Sequence, residues 1–166
     1  MKTGMIIVGY QGIGKSTLAK NGNGYIDLES SNFFVGGQRD ANWYRVYCQI
    51  AWHLAVQGYR VFTSSHQVVR DTFAGMNTTF PKVIVFPDPK LKDKWIRRLE
   101  IRFANCNSNK NFKALKNAQD RFDENIDELR NHDGFDPISI NSMDYDLHAL
   151  IEAYLDGYKD GETECG

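Results

Sequence analysis

Residues 5–20, MIIVGYQGIGKSTLAK, restrict the fold of this chain more than any other stretch. The four apolar residues 5–8 predict a short buried strand, and the eight residues after them match the pattern G-x-x-x-x-G-K-S/T at every fixed position. Glycines at positions 9, 12 and 14 permit backbone conformations that a Cβ would hinder, so that successive N–H groups can point at one phosphate chain. The stretch therefore predicts a phosphate-binding loop. A glycine turn that binds nothing is the alternative, and a motif this specific disfavours it.

The end of this motif indicates how a nucleotide would be held. Lys15 can reach the β- and γ-phosphates as a point charge, and the hydroxyl of Ser16 is the usual ligand of the Mg²⁺ ion that bridges them. The helix that begins near Lys15 adds unpaired N–H groups and the positive end of its dipole. We expect nucleotide contacts from Gly9, Gln11, Gly12, Ile13, Gly14, Lys15, Ser16 and Thr17.

Charge is distributed unevenly along the 166 residues, although the net charge is only −1. Residues 90–116 carry nine Lys or Arg against two acids, whereas residues 133–166 carry nine acids against one lysine. A basic segment in a chain that is not basic overall favours a small anionic substrate over nucleic acid. The length predicts one domain, residues 1–158, followed by an acidic tail, 159–166, that we expect to be disordered.

The three cysteines lie far apart and have no metal-binding spacing, which is typical of reduced thiols inside a cell. No apolar run approaches the roughly 18 residues of a membrane helix, and residues 1–20 lack a signal-peptide pattern. We therefore expect a cytoplasmic protein without a membrane partner. The sequence leaves open whether it is a monomer or a homodimer.

Apolar runs that alternate with helical stripes predict an α/β fold with a five-stranded parallel sheet between layers of helices. The remaining strands are predicted at residues 25–29, 59–62, 82–86 and 137–140. Helices are predicted at 43–57, 67–74, 90–104, 112–129 and 145–154. In such a sheet the ligand binds beyond the carboxyl ends of the strands.

A basic helix follows the predicted strand that ends at Pro87-Asp88. Arg98 and Arg102 lie four residues apart and so share one face of this helix, which could also be an ordinary solvated face. The pattern resembles the lid region of nucleoside monophosphate kinases, which are small kinases with a P-loop NTPase fold. The resemblance implies a short lid at about residues 98–112 and catalytic roles for both arginines, because planar guanidinium groups neutralise charge on a transferred phosphoryl group.

Asp27 and Glu29 end the second predicted strand, in a stretch that resembles the I-D-x-D segment of shikimate and gluconate kinases. The resemblance implies that Asp27 holds the acceptor or the water shell of the metal. The resemblance to the nucleoside monophosphate kinases implies that Arg39 contacts an acceptor phosphate. An exposed strand face and a surface arginine are the plainer alternatives. The compact size and short lid also resemble the nucleotide kinases carried by bacteriophages.

One departure from the kinase pattern follows the third predicted strand, where Ser64-Ser65-His66 replaces the Walker B aspartate of many phosphate-loop proteins. Either Asp27 or Asp88 would then take over its role at the metal, or the metal would be held more weakly than usual. Two functions remain open. The first is transfer of the γ-phosphoryl group of ATP to a small acceptor, a nucleoside or deoxynucleoside monophosphate by resemblance. The second is an ATP-binding interaction module or slow ATPase without a small-molecule acceptor.

Overall fold

A computed structural model describes residues 4–35 and 38–164, and it contains seven strands in that part of the chain. They are β1 Met5–Gly9, β2 Tyr25–Asp27, β3 Phe34–Val35, β4 Gln38–Arg39, β5 Arg60–Thr63, β6 Lys82–Pro87 and β7 Asp136–Ile140. The helices are α1 Lys15–Lys20, α2 Trp43–Val56, α3 Gln67–Ala74, α4 Lys92–Asn105, α5 Asn109–Arg130 and α6 Leu147–Glu164. Two short 3-10 helices, Ser30–Phe33 and Pro89–Leu91, complete the described elements.

Five of the strands form one parallel sheet in the order β2-β5-β1-β6-β7, which confirms the predicted five-stranded parallel sheet. The phosphate-binding motif therefore follows the central strand. In the register of the sheet, Ile7 lies opposite Phe62 of β5 and Val83 of β6. Because parallel strands end at the same edge, the segments that follow β1, β2 and β5 meet beside the motif.

Helices cover both faces of this sheet. Because successive side chains of β1 point to opposite faces, they pack against different helices. Ile6 packs in one buried cluster with Tyr47 of α2 and Phe73 of α3. Met5 and Ile7 belong to the other cluster, which also contains Trp95, Phe122 and Ile151 from α4, α5 and α6. Both sides of the central strand are fully buried, which explains its unbroken apolar sequence.

Two details around the sheet differ from the sequence-based expectation. β3 and β4 pair as two short antiparallel strands in a segment where no strand was predicted, and strands of two residues are too short to show a period. The polar stretch 105–111 is largely helical, because α5 begins at Asn109 after Ser108 accepts a hydrogen bond from the backbone N–H of Asn111 at 3.1 Å. The stretch predicted as a lid, 98–112, is thus the end of α4, a break at 106–108 and the start of α5.

α6 includes six residues of the predicted disordered tail, and the last two, 165–166, lie outside the described residues. The disorder of the tail stays a prediction. Cys48 and Cys106 are both free, and Cys165 falls in the part that is not described. Of the helices in residues 4–35 and 38–164, none combines the length and the apolar character needed to cross a bilayer.

Candidate active site

A cavity of about 1030 Å³ lies over the carboxyl ends of β1, β2 and β5. Its floor is the loop predicted to bind phosphate, and α5 forms one long wall. A volume at the upper end of the range for small-molecule sites leaves room for more than a triphosphate chain. Of the loop residues predicted to contact nucleotide, all but Ile13 line this cavity, and the side chain of Ile13 is buried in the core.

Two glycines set the shape of the loop. Gly12 has a φ of 85° and Gly14 a φ of 103°, in the left-handed region that side chains with a Cβ rarely adopt. A Cβ on Gly12 would also approach Leu99 Cδ2 to 3.0 Å, whereas one on Gly14 would meet nothing within 4 Å. Gly12 is therefore required by both conformation and packing, and Gly14 by conformation alone.

Three consecutive carbonyl groups of the loop accept hydrogen bonds from donors outside it. Trp95 Nε1 donates to the carbonyl of Gln11 at 2.9 Å, and the hydroxyl of Tyr145 donates to that of Ile13 at 2.7 Å. Arg98 donates to the carbonyl of Gly12 at 3.4 Å and to the Tyr145 hydroxyl at 2.8 Å. We call Trp95, Arg98 and Tyr145 the outer clamp. It fixes the orientation of three peptide groups in a row, which is what a preformed phosphate cradle requires.

Lys15 lies half-buried in the cavity, and its Nζ is 3.5 Å from the carbonyl oxygen of Gly9. Burial lowers the pKa of Lys15, the charge of Asp27 opposes this most strongly, and the charges of Lys110 and Arg102 lower the pKa further. A polyphosphate bound beside Lys15 would reverse these effects by supplying negative charge.

Ser16 and Asp27 are joined directly, because the hydroxyl of Ser16 donates to Asp27 Oδ2 at 3.0 Å. Asp27 ends β2, and the adjacent N–H of Leu28 binds the carbonyl of Phe62 at 3.0 Å, which holds that end against β5. Asp88 accepts a hydrogen bond from the N–H of Lys90 at 2.9 Å and does not line the cavity. Of the two acids that could replace the Walker B aspartate, Asp27 is the one beside the loop.

Mg²⁺ fits this pair of oxygen groups, since it prefers hard oxygen ligands and is usually held by one or two protein groups plus water and phosphate. Within the described residues, no group of three or more His, Cys, Asp and Glu side chains could hold a metal ion. Ser16 would therefore bind the ion with Asp27 next to it, and the remaining ligands would come from water and nucleotide.

Arg98 and Arg102, the predicted catalytic arginines, both line the cavity. The Arg98 guanidinium lies 4.7 Å from the ring centre of Trp95 and 5.3 Å from that of Tyr145, and it bonds a loop carbonyl. Arg98 is thus fixed by its contacts with Trp95, Tyr145 and the loop, whereas Arg102 lies one turn further along α4. The geometry separates a pair that the sequence treats as equivalent.

Three residues from the other side of the sheet complete the basic lining. Arg39 stacks over the ring of Trp43 at 4.3 Å, which anchors it beside α2. Arg70, only 6% exposed, donates to the carbonyl of Ser65 at 3.0 Å and to Glu128 at 3.3 Å. His66 bonds the Ser64 hydroxyl through Nδ1 at 2.9 Å, and burial, followed by the charges of Arg39 and Lys15, lowers its pKa.

Sequence reasoning missed the contribution of α5. Lys110 forms an ion pair with Glu29 at 2.6 Å, which connects the start of this helix to the segment after β2. The residues of α5 that line the cavity, which we call the α5 wall, are Asn109, Lys110, Lys113, Ala114, Asn117, Asn125, Glu128 and Leu129. A polar stripe at 109, 113, 117 in steps of four was the available signal, but it does not differ from an ordinary solvated face.

Comparison with known proteins adds no relative to this picture: neither the protein-family models nor the curated proteins give a match to the chain. The case for its function therefore rests on the geometry of the cavity.

Proposed function

We propose that this chain is a P-loop phosphotransferase that passes the γ-phosphoryl group of Mg·ATP to a nucleoside or deoxynucleoside monophosphate. The observation that carries the proposal is the origin of the basic residues in the cavity. Lys15 belongs to the loop, whereas six other Lys and Arg come from β4, α3, α4 and α5. They are Arg39, Arg70, Arg98, Arg102, Lys110 and Lys113.

This charge exceeds what a triphosphate on the loop would need. Seven Lys and Arg side chains face three acids, Asp27, Glu29 and Glu128, in the described lining. The excess supports a second anion beside the first, and a monophosphate acceptor supplies one. It also supports transfer, because charge spreads over the equatorial oxygens of the phosphoryl group as it moves between two ligands.

The roles of the residues follow from their positions. Lys15 and Arg102 would neutralise the charge of the transferred phosphoryl group. Arg98 would hold the loop through its bond to the Gly12 carbonyl and would direct its remaining N–H groups at the phosphates. Asp27 accepts a hydrogen bond from the Ser16 hydroxyl, so the lone pairs of the Ser16 oxygen can point to a metal ion. No general base is needed for a monophosphate acceptor, because its phosphate oxygen is already an anion.

A coupled assay of ADP release over a panel of acceptors tests the proposal. Wild-type protein with Mg·ATP is expected to release ADP faster when one or more of the nucleoside and deoxynucleoside monophosphates is added. Lys15→Ala should lower that rate by about 10²- to 10³-fold. Lys20→Ala is the matched control, since Lys20 is exposed at the end of α1 and lies outside the cavity lining.

The assay separates this function from the alternative of a slow ATPase or ATP-binding module. Release of ADP that is equal with and without every acceptor, together with tight nucleotide binding, would favour the alternative. Stimulation by a sugar or a free nucleoside but by no monophosphate would retain the transferase and change its acceptor, and Asp27 would then be the expected base.

A further inference from the structure

The cavity changes character along the α5 wall. In its first turns, α5 presents Lys110 and Lys113 to the cavity, and these side chains suit phosphate groups. Further along, the lining side chains are Asn117 and Asn125 with the pair Arg70 and Glu128. The helix is kinked between the two asparagines, at Arg121, whose φ and ψ are −138° and 21°. The kink allows residues on both sides of it to face one cavity.

Three amide side chains meet a phenol at this end of the cavity, and we call Gln11, Asn117, Asn125 and Tyr10 the amide cluster. Gln11 Nε2 donates to the Tyr10 hydroxyl at 3.3 Å and to the carbonyl of Ala114 at 2.9 Å. Asn125 Nδ2 donates to Asn117 Oδ1 at 3.1 Å. Burial raises the pKa of Tyr10, and its hydrogen bonds with Gln11 and Asn125 oppose this only in part. The whole cluster is therefore uncharged at neutral pH.

The cluster is built on a rigid base. Tyr10 is 2% exposed, its N–H extends the pairing of β1 with β6 by binding the carbonyl of Val85 at 2.9 Å, and its ring meets Phe122 edge-on at 5.7 Å. Gln11 is the third residue of the phosphate-binding motif, and its side chain joins the loop to α5. The cluster is therefore held at a fixed place relative to the phosphates.

We infer that the amide cluster binds the base of the acceptor nucleotide, an inference that rests on the proposed function. Amide groups present a donor and an acceptor side by side, which matches the edge of a nucleobase and does not match a phosphate. Arg70 lies next to the cluster, because its partner Glu128 is one turn from Asn125 on α5. A ligand with one anionic end and one neutral hydrogen-bonding end would fit both, and a nucleoside monophosphate has that form.

Asn125→Asp is the informative variant, because it keeps the shape of the side chain and replaces donor groups by acceptors. The relative kcat/KM values for monophosphates with different bases are expected to change by about fivefold or more, since a paired base contact is worth about 1–3 kcal/mol of discrimination. The KM for ATP should stay within about twofold. Asn117→Asp provides a second variant, and thermal unfolding verifies that each one folds.

Asn77→Asp is the matched control, because Asn77 is exposed after α3 and lies outside the cavity lining. An equal loss for all acceptors in both cavity variants would indicate a structural role and overturn the inference, and so would unchanged ratios. Stimulation by ribose 5-phosphate as strong as by the nucleotides would also overturn it. In each of these cases the wild-type protein still transfers phosphate. A wild-type protein that no monophosphate stimulates would instead refute the proposed function, and the inference with it.

Discussion

The phosphate-binding loop and the α5 wall face each other across one cavity, yet they are built by different means. The loop is shaped by glycine conformations and by the outer clamp, whose Trp95 is fully buried. The wall is made of side chains on one face of a helix, and most of them, Lys110 and Asn117 among them, are exposed. A feature made by the backbone can bind any polyphosphate, whereas one made by exposed side chains can change without loss of the fold.

This difference predicts that substitutions in the two regions have different effects. Substitutions in the loop or its clamp should affect every reaction of the protein and, for the clamp, its stability. Substitutions in the wall should affect the choice and affinity of the acceptor, with little cost in stability, because exposed side chains contribute less to folding than buried ones.

The largest expected difference is between two lysines that face the same cavity. Lys15→Ala should lower kcat/KM by about 10²- to 10³-fold, as Lys15 is the cation of the cradle. Lys110→Ala should lower it by less than about tenfold, because its partner Glu29 is also exposed in part and the pair is accessible to solvent. Steady-state kinetics with saturating Mg²⁺ measures both. Equal losses would remove the distinction between loop and wall.

The next contrast concerns the two acids after β2. Asp27→Asn should lower Mg²⁺-dependent turnover by about 10- to 100-fold, because it removes the charge that orients Ser16. Glu29→Gln removes an equal charge but only an exposed ion pair, so its effect should stay within about threefold. Turnover measured across a range of Mg²⁺ concentrations distinguishes them. A greater loss from Glu29→Gln than from Asp27→Asn would mean that the metal ion lies beside Glu29, which would contradict the account.

The same division explains what could be predicted from the sequence. The loop, its strand and the parallel sheet follow from a spaced motif and from apolar runs, which are local signals. The bond between Ser16 and Asp27 joins residues 11 apart in the chain, and the bond from Tyr145 to Ile13 joins residues 132 apart. Neither has a local signal. As the replacement for the Walker B aspartate, Asp27 could be proposed only as one of two acids, and Tyr145 was not identified.

The α5 wall escaped prediction for a different reason. Asn117 and Asn125 have the polar spacing of any solvated helix, and the kink at Arg121 that brings both to the cavity is not marked by proline or glycine. Side chains that face a cavity and side chains that face bulk water obey the same pattern. Only the packing of α5 against the loop distinguishes them.

The outer clamp should contribute to the free energy of unfolding. Tyr145→Phe removes the hydrogen bond to Ile13 and one partner of Arg98, and we expect a loss of about 1 kcal/mol in the free energy of unfolding. For a domain of this size that corresponds to a melting temperature about 2–4 °C lower. Tyr59→Phe, at a residue that is 40% exposed, is the control and should melt like wild type. Asn117→Ala, in the α5 wall, should also melt like wild type. A fall in melting temperature equal to that of Tyr145→Phe would contradict the expected difference in stability between clamp and wall.

The smallest expected effect is a proton taken up at His66. Burial and the nearby charges of Arg39 and Lys15 lower its pKa in the protein without ligand, and a bound phosphate would raise it. Binding should therefore strengthen as the pH falls through the pKa of the bound state, and level off below the pKa of the free state. Histidine NMR titrations with and without pyrophosphate measure the shift.

Transfer itself is tested most directly by following the γ-phosphate of ATP. The protein is incubated with Mg²⁺, a panel of nucleoside monophosphates and ATP labelled at that phosphate, and the products are separated. The account predicts that the label appears in a nucleoside diphosphate made from one of the acceptors, and that Lys15→Ala slows its formation by about 10²- to 10³-fold. Label found only in inorganic phosphate, or left entirely in ATP, would contradict it.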